Sequence, residues 1–251
     1  MRIVGLQKLT LLDFPGRVAC TVFLGGCNFR CPFCHNGQLL ENAPSVMDAE
    51  GLLRFLKGRK GILDGVCITG GEPTLHPELP VLLRQIREMG YLIKLDTNGY
   101  RPDVLKALVW EGLVDYVAMD VKNGPGRYAQ TVGLDHISLE KIEESITFLL
   151  TGMVDYELRT TVAEPLHDEV SMEEMAAWLQ KLGGRHKIKC LYIQPFVDRE
   201  TVLMGGLSAP NDEKLEKFAE ILRHCAKKVE LRGKQPNTTS GVWWIFPNPR
   251  Y

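Results

Sequence analysis

Residues 25–36 read Gly-Gly-Cys-Asn-Phe-Arg-Cys-Pro-Phe-Cys-His-Asn and directly follow an apolar, strand-like stretch at residues 18–24. The segment places Cys27, Cys31 and Cys34 on one short loop, with three and then two residues between them. Thiolates select zinc, copper(I) or iron–sulfur clusters. A four-iron cluster held by only three cysteines has one iron left to bind another group. The spacing therefore predicts a metal site and favours a reactive 4Fe-4S cluster.

A structural zinc ion is the alternative, with His35 as the fourth ligand beside the three cysteines. Zinc ribbons and knuckles usually draw their ligands from two separated turns, whereas His35 directly follows Cys34 and would have difficulty reaching the same ion. A zinc-binding interaction module stays open as a reading of a different class. Colourless protein that contains zinc and no acid-labile sulfide would identify it.

The pattern Cys-x-x-x-Cys-x-aromatic-Cys resembles the signature of the radical S-adenosylmethionine (SAM) enzymes. Asn36 and the Leu-Leu-Asp-Phe-Pro-Gly of residues 11–16, set between two predicted strands, narrow the likeness. From about residue 6 to about residue 232, the chain resembles the activating proteins of anaerobic ribonucleoside-triphosphate reductase. The resemblance implies that the cluster binds SAM and cleaves it to a 5′-deoxyadenosyl radical. That radical would take a hydrogen atom from a backbone glycine of a partner enzyme.

Composition is that of an ordinary globular protein: 251 residues, 45% hydrophobic and 24% charged, enough for one large α/β domain. The formal net charge of −1 gives no overall positive field toward nucleic acid or anionic lipid. Cysteine number is odd, and we find neither a signal peptide nor an apolar run of membrane length, so we expect a cytoplasmic protein. Four further cysteines stand apart from one another and predict no second cluster: Cys20, Cys67, Cys190 and Cys225.

Apolar strand-like runs alternate with helical patterns, which indicates parallel α/β architecture. The runs lie at residues 18–24, 65–69, 91–96, 116–120, 156–162 and 189–194. Six repeats predict a partial (β/α)6 TIM-like barrel of the radical SAM type, with 229–232 as a short closing strand. This domain would span residues 1–232, and the tail at 233–251 is predicted to be an irregular extension outside the family resemblance.

Helix ends are marked by capping signals. Gly90 is predicted to end the helix that follows Pro77. Residues 45–48 resemble a capping box that opens the first helix, and Asn211 could cap the last helix, at residues 212–225.

Polar residues gather at the predicted strand ends, where barrels of this kind carry their chemistry. Gly70, Gly71 and Glu72 end the second strand. A glycine turn with an exposed glutamate is the plain reading, and no Gly-Lys-Ser/Thr follows to make a phosphate loop. Together with the cysteines, they resemble the Gly-Gly-Glu motif. That resemblance implies that its backbone and carboxylate receive the amino group of SAM.

Two further strand ends carry Asp96 with Thr97, and Asp120 with Lys122. Asn98 and Gly99, which follow Thr97, could be only a turn, and Asp120 with Lys122 could be only a surface ion pair. The family resemblance implies instead that the two strand ends line the SAM site, with Lys122 at the ribose or carboxylate end of SAM. Asp96 and Asp120 would share a monovalent cation, helped by Thr97 and the carbonyl of Ala118, because two aspartates near a carboxylate otherwise repel.

Arg159 is a charge on the inner face of a predicted strand, which is costly without a partner. By resemblance it helps to fix SAM, and if it pairs with a carboxylate of an outer helix it is structural. Phe33 and His35 flank the cluster, with the Phe33 ring near the adenine or simply in the core. Gln194 ends the sixth strand, near where adenine or a partner peptide would lie.

We find no Ser-His-Asp set and no paired catalytic carboxylates, so we assign no catalytic side chain and leave the chemistry to cluster and SAM. The predicted function is installation of a glycyl radical on anaerobic ribonucleoside-triphosphate reductase, with a flavodoxin- or ferredoxin-type electron donor. Activation of another glycyl-radical enzyme, or radical chemistry on a small molecule, remains open. Residues 124–136 and 198–209 are predicted to be mobile loops that carry partner specificity.

Overall fold

The computed structural model describes residues 1–40, 43–184 and 187–233. They form one eight-stranded sheet whose strands follow chain order, β1 to β8. The pair β1–β2 is antiparallel and every other pair is parallel. The strands are β1 Ile3–Thr10, β2 Ala19–Leu24, β3 Gly65–Gly70, β4 Leu92–Thr97, β5 Tyr116–Asp120, β6 Asp155–Val162, β7 Leu191–Pro195 and β8 Val229–Leu231.

The predicted partial barrel is confirmed. Each of the six predicted strands coincides with one of β2 to β7, with bounds that differ by at most two residues. The strand predicted at 229–232 exists as β8, but among the described residues it pairs with β7 alone, so the described part of the sheet is open between its edges β1 and β8. Residues 234–251, nearly all of the predicted tail, lie outside the described residues.

Seven α-helices connect the strands or follow them within the described residues. Their bounds are α1 Ala49–Lys57, α2 Leu79–Glu88, α3 Pro102–Trp110, α4 Tyr128–Thr131, α5 Leu139–Leu150, α6 Glu169–Gly183 and α7 Asp212–Leu222. Their apolar faces pack on the outside of the sheet. In α2 the buried face consists of Leu79, Leu82, Leu83 and Ile86, the positions that helical periodicity selects. Among the helices that the structure describes, none is long and apolar enough to span a bilayer.

The capping predictions have mixed outcomes. Asn211 caps α7 by accepting a hydrogen bond from the Lys214 N–H, and Gly90 follows α2 with a left-handed φ of 86°. The capping box at 45–48 is wrong, because Asp48 alone caps α1 and the Ser45 hydroxyl faces the Ile3 and Met47 carbonyls. Helix α7 also ends at Leu222, three residues before the predicted end.

The Asp-Phe-Pro-Gly turn between β1 and β2 closes the end of the barrel opposite the cysteines. Phe14 is 4% exposed and forms a small separate core with Ala19 and Cys67, against which Leu92 and Tyr116 pack. Asp13 accepts a hydrogen bond from the Thr21 hydroxyl. The turn therefore forms the floor beneath the site.

Candidate active site

A cavity of about 250 Å³ lies at the carboxyl ends of the parallel strands. All thirteen residues that the sequence assigned to the site line it, together with Asn36 and Gln194. They are Cys27, Cys31, Phe33, Cys34, His35, Gly70, Gly71, Glu72, Asp96, Thr97, Asp120, Lys122 and Arg159. The structure thus brings the predicted set together, while the part that each residue plays toward a ligand stays a prediction.

The three cysteines are unpaired thiols, of which Cys31 is buried and Cys27 and Cys34 are partly buried. Burial raises the pKa of Cys27 to about 11 and that of Cys31 to about 12, in spite of the nearby Lys122 ammonium. The thiolate is the form of cysteine that binds metals, and these surroundings stabilise it poorly. A bound cationic group must therefore stabilise the thiolates. Within the described ranges, no three His, Cys, Asp or Glu side chains converge closely enough to hold a single metal ion.

His35 is placed as a packing residue. Its ring stacks on Phe196, with centroids 5.7 Å apart, and its Nε2 faces the Val197 N–H at 3.4 Å. Burial, with the nearby Arg199, lowers the pKa of His35, so the imidazole stays neutral near pH 7. These contacts engage His35 with the segment after β7 and so disfavour the zinc reading.

The Gly-Gly-Glu segment holds the cysteine loop at very short range. The N–H groups of Gly71 and Glu72 donate to the carbonyls of Leu24 and Gly26, each at 2.8 Å. A Cβ on Gly71 would lie 1.9 Å from the Gly26 oxygen, and one on Gly70 would lie 2.2 Å from the Leu24 oxygen. The two glycines are therefore needed for this approach. The N–H groups of Gly71 and Glu72 hold the start of the cysteine loop, a use that the sequence did not indicate.

Glu72 is buried at 1% exposure, so the alternative of an exposed glutamate is wrong. Its carboxylate accepts hydrogen bonds from the Thr97 hydroxyl and the Asn98 N–H, each at 2.7 Å, and from the N–H and hydroxyl of Thr74. Burial raises the pKa of Glu72, and these donors oppose the rise. Glu72 thus joins the ends of β3 and β4. Its predicted contact with the SAM amino group remains a prediction.

Arg159 lies between the two site aspartates. Its Nε is 2.9 Å from Asp120 Oδ1, and its Nη1 is 3.1 Å from Asp96 Oδ2. Lys122 Nζ is 2.9 Å from Asp120 Oδ2, and Lys94 forms an ion pair with Asp96. The alternatives of a surface pair for Asp120 and Lys122, and of an outer-helix partner for Arg159, are both wrong.

The balance of charge in this group is positive, with three cationic side chains around two carboxylates. Burial alone would raise the pKa of Asp120, but Arg159 and then Lys122 outweigh it and lower that pKa to about 2. Repulsion between Asp96 and Asp120, the reason for predicting a monovalent cation, is therefore already relieved by the chain. Lys94 was missed, although its position two residues before Asp96 places both on the inner face of β4.

Phe33 and the neighbouring loops fix the cysteine loop from the other side. The Phe33 ring packs edge-on against the buried His167, with centroids 6.0 Å apart, and Lys122 Nζ lies 5.9 Å above the ring. The Thr201 hydroxyl donates to the His35 carbonyl at 2.6 Å, and the Arg30 N–H donates to Val132 at 2.8 Å. Both segments predicted to be specificity loops, 124–136 and 198–209, therefore contact the cysteine loop.

Comparisons with known proteins identify the family. A profile described as the Radical SAM superfamily matches residues 21–182, more than half of the chain. A Methanocaldococcus jannaschii protein named "Putative glycyl-radical enzyme activating enzyme" is 33% identical over 237 residues, covering 92% of this chain and 95% of that protein. The pyruvate formate-lyase-activating enzyme of Clostridium pasteurianum is 33% identical over 128 residues, 49% of this chain and 52% of the enzyme.

Solved structures agree with this fold. A domain of pyruvate-formate lyase-activating enzyme from Bacteroides vulgatus superposes with a TM-score of 0.54 at 22% identity, over 67% of this chain and 99% of that domain. Streptococcus suis SuiB bound to S-adenosylmethionine superposes with a TM-score of 0.63 at 13% identity, over 85% of this chain and 52% of SuiB. The fold, the cysteine loop and the family profile together establish that the chain belongs to the radical SAM superfamily.

Proposed function

We propose that this protein is an activating enzyme that installs a glycyl radical on a partner enzyme, with anaerobic ribonucleoside-triphosphate reductase as the first candidate partner. One observation carries the proposal: three unpaired cysteines on one loop face a cavity that also contains the Asp96–Arg159–Asp120 group. The relative from Methanocaldococcus jannaschii, similar over nearly its whole length, supports the activating class.

Cys27, Cys31 and Cys34 would hold a 4Fe-4S cluster, and the cavity beside them would hold SAM. In this superfamily, the reduced cluster and SAM together supply a 5′-deoxyadenosyl radical. The residues of the chain itself would bind and orient the cluster and SAM. Lys122 and Arg159 would present positive charge to the carboxylate end of SAM, and Gly70, Gly71 and Glu72 would receive its amino group. No side chain is assigned a proton-transfer step.

Enclosure is the second contribution of the chain. Phe14 closes the floor of the barrel, and the segments after β5 and β7 pack on the cysteine loop. A reactive radical requires a site that limits competing reactions. Among the described residues β1 and β8 are the two edges of the sheet, and we expect a glycine-bearing segment of a partner to approach between them. We expect this chemistry to take place in the reducing cytoplasm, with a flavodoxin- or ferredoxin-type protein as electron donor.

The test is anaerobic reconstitution with iron and sulfide, followed by reduction with SAM in the presence or absence of the purified reductase. We expect a brown protein that forms 5′-deoxyadenosine and leaves a glycyl-radical signal in electron paramagnetic resonance spectra only when the reductase is present. The Cys31→Ala variant is expected to lose the cluster and SAM cleavage while it keeps most of the fold. A Cys31→Ala variant with full SAM cleavage would contradict the proposal.

A second candidate partner is pyruvate formate-lyase. The pyruvate formate-lyase-activating enzyme of Clostridium pasteurianum is similar to this chain over 128 residues, which is about half of the chain. The same assay with that enzyme separates the two partners. SAM cleavage without a radical on either protein would favour a different glycyl-radical enzyme or a small-molecule substrate. Protein that binds zinc, contains no acid-labile sulfide and does not cleave SAM would instead support an interaction module.

A further inference from the structure

Asn28, which directly follows Cys27, carries a buried amide nitrogen without an acceptor. Its Nδ2 has no hydrogen-bond partner anywhere in the described part of the chain, although the atom is inaccessible to solvent. Buried donors are rarely left unpaired in folded proteins, because removing them from water without a new partner costs free energy. An acceptor that binds at this position would satisfy it.

The orientation of the Asn28 amide follows from its neighbours. The Tyr100 N–H can only donate, and it donates to Asn98 Oδ1 at 3.0 Å. Asn98 must therefore present its Nδ2, which donates to Asn28 Oδ1 at 2.8 Å. A flipped Asn28 would place two NH₂ groups against each other. The unpaired atom of Asn28 is accordingly an N–H donor.

The Asn28 amide lies beside the sulfur of Cys27, with its Oδ1 3.9 Å from Sγ. Cys27 Sγ faces the Phe29 N–H at 3.4 Å and Asn98 Nδ2 at 3.9 Å. Asn28 is the third residue with a side-chain or backbone N–H beside this one cysteine, because its Nδ2 is bonded to the same amide carbon as that Oδ1. Sulfur atoms of a bound cluster, both thiolate and sulfide, accept such hydrogen bonds, and those bonds help to set the reduction potential.

We propose that Asn28 Nδ2 donates a hydrogen bond to a sulfur of the bound cluster, on the side of Cys27, and that Asn98 acts as a positioning residue for it. The inference rests on the proposed function, because it requires that the three cysteines hold the cluster. Reduction adds negative charge to the cluster, so each N–H donor stabilises the reduced form more than the oxidised form. Asn28 therefore raises the reduction potential and eases delivery of the electron.

The experiment is a potentiometric titration of the reconstituted cluster without SAM, followed by electron paramagnetic resonance, in the full chain and its variants. Asn28→Leu keeps the approximate side-chain volume and removes the donor. At the wild-type midpoint potential, we expect its ratio of reduced to oxidised cluster to fall about threefold, which corresponds to a midpoint lower by about 30 mV for one electron. Asn28→Asp, which also adds negative charge, is expected to lower the potential further.

Asn36→Ala is the matched control. Asn36 lies in the same loop, but its Nδ2 already has an acceptor in the chain, the Gly70 carbonyl at 3.3 Å. The reduction potential of the cluster in Asn36→Ala is expected to stay near that of the wild type. If the reduction potential fell equally in Asn36→Ala, the fall in Asn28→Leu would be explained by a general loosening of the loop. That result would overturn the inference.

A measurement of SAM affinity distinguishes a hydrogen bond from Asn28 to the cluster from one to SAM. The proposed hydrogen bond runs to a sulfur of the cluster and not to SAM, so Asn28→Leu is expected to keep the wild-type dissociation constant for SAM in an anaerobic binding measurement. Weaker SAM binding with an unchanged potential would assign the donor to SAM and overturn the inference. If Asn28→Leu fails to hold a cluster, the isosteric Asn28→Asp variant provides the test. A cluster reduction potential in Asn28→Asp that is no lower than in the wild type would overturn the inference. Wild-type protein that forms no cluster would overturn the proposed function itself.

Discussion

The guanidinium of Arg159 bridges the carboxylates of Asp96 and Asp120, at 3.1 Å from the first and 2.9 Å from the second. The three residues come from the neighbouring strands β4, β5 and β6, so the bridge also fixes the strand ends relative to one another. Each aspartate has a lysine as well, Lys94 for Asp96 and Lys122 for Asp120. The site is thus an ion network that is charged before any cofactor binds.

Replacement of Arg159 tests this network. In Arg159→Met, both buried carboxylates lose their shared partner but each keeps one lysine. We therefore expect the free energy of unfolding to fall by about 2 kcal/mol, less than when a buried charge is left without any partner. Urea denaturation of the anaerobic, cluster-free chain gives the measurement. Arg84→Met is the control, because the Arg84–Glu111 pair is about half exposed, and such pairs contribute about 0–1 kcal/mol. Equal losses in the two variants would contradict the bridging role.

The low pKa of Asp120 predicts a particular pH dependence of stability. The folded-state pKa of about 2 lies below the ordinary value of 3.8, so the stabilisation is fully present above the ordinary pKa and is lost as pH falls through the folded pKa. A shift of this size corresponds to about 2 kcal/mol at pH 7. The difference in unfolding free energy between wild type and Asp120→Asn should shrink by about 1 kcal/mol between pH 7 and pH 3. Urea denaturation at both pH values measures this difference. A difference in unfolding free energy that stays constant between pH 7 and pH 3 would contradict the low pKa of Asp120.

Much of this fold could be predicted from the sequence, because a parallel sheet covered by helices leaves a strong pattern of apolar runs. All six predicted barrel strands coincide with strands of the sheet. Helix ends were harder, because a cap depends on one side chain. Both Ser45 and Asp48 are acceptable caps, and only the backbone path decides that Asp48 accepts the Gly51 N–H.

The membership of the site was predictable for the same reason: residues at the carboxyl ends of parallel strands converge on one cavity. Their pairings were not. Arg159 was predicted to be an inner-face charge, but its register opposite Asp120 is a property of the paired strands β5 and β6. The burial of Glu72 beneath four donors and the orientation of the Asn28 amide also depend on contacts distant in sequence. Such contacts leave no local pattern.

Gly71 gives a prediction about the approach of two loops. In Gly71→Ala, the new Cβ would lie 1.9 Å from the Gly26 carbonyl oxygen, so the segment after β3 must move away from the cysteine loop. We expect reconstituted Gly71→Ala to hold less than half of the wild-type iron and sulfide, because the cysteines lose their support. Gly183→Ala is the control. It lies in the last turn of α6, and apart from the backbone of its own helix its Cβ would meet no atom of the described residues within 4 Å. Wild-type iron content in Gly71→Ala would show that the close approach is dispensable.

Phe14 gives a prediction about the barrel floor, separate from the cofactor site. Its ring is 4% exposed and packs on Ala19, Cys67, Leu92 and Tyr116 at the end of the barrel opposite the cysteines. Phe14→Ala leaves a cavity there, and we expect a loss of about 3–5 kcal/mol in the free energy of unfolding. Leu12→Ala is the control, because Leu12 lies in the same turn at 75% exposure and should change stability by no more than about 0.5 kcal/mol.

Where Phe14→Ala remains folded, its effect on the site should be smaller than its effect on stability. The cysteine loop is held by β3 and by the segments after β5 and β7, and none of those hydrogen bonds involves the β1–β2 turn. We therefore expect iron content near that of the wild type at 4 °C, together with a lower urea midpoint. Loss of the cluster from variant protein that circular dichroism shows to be folded would mean that the floor also supports the cysteine loop.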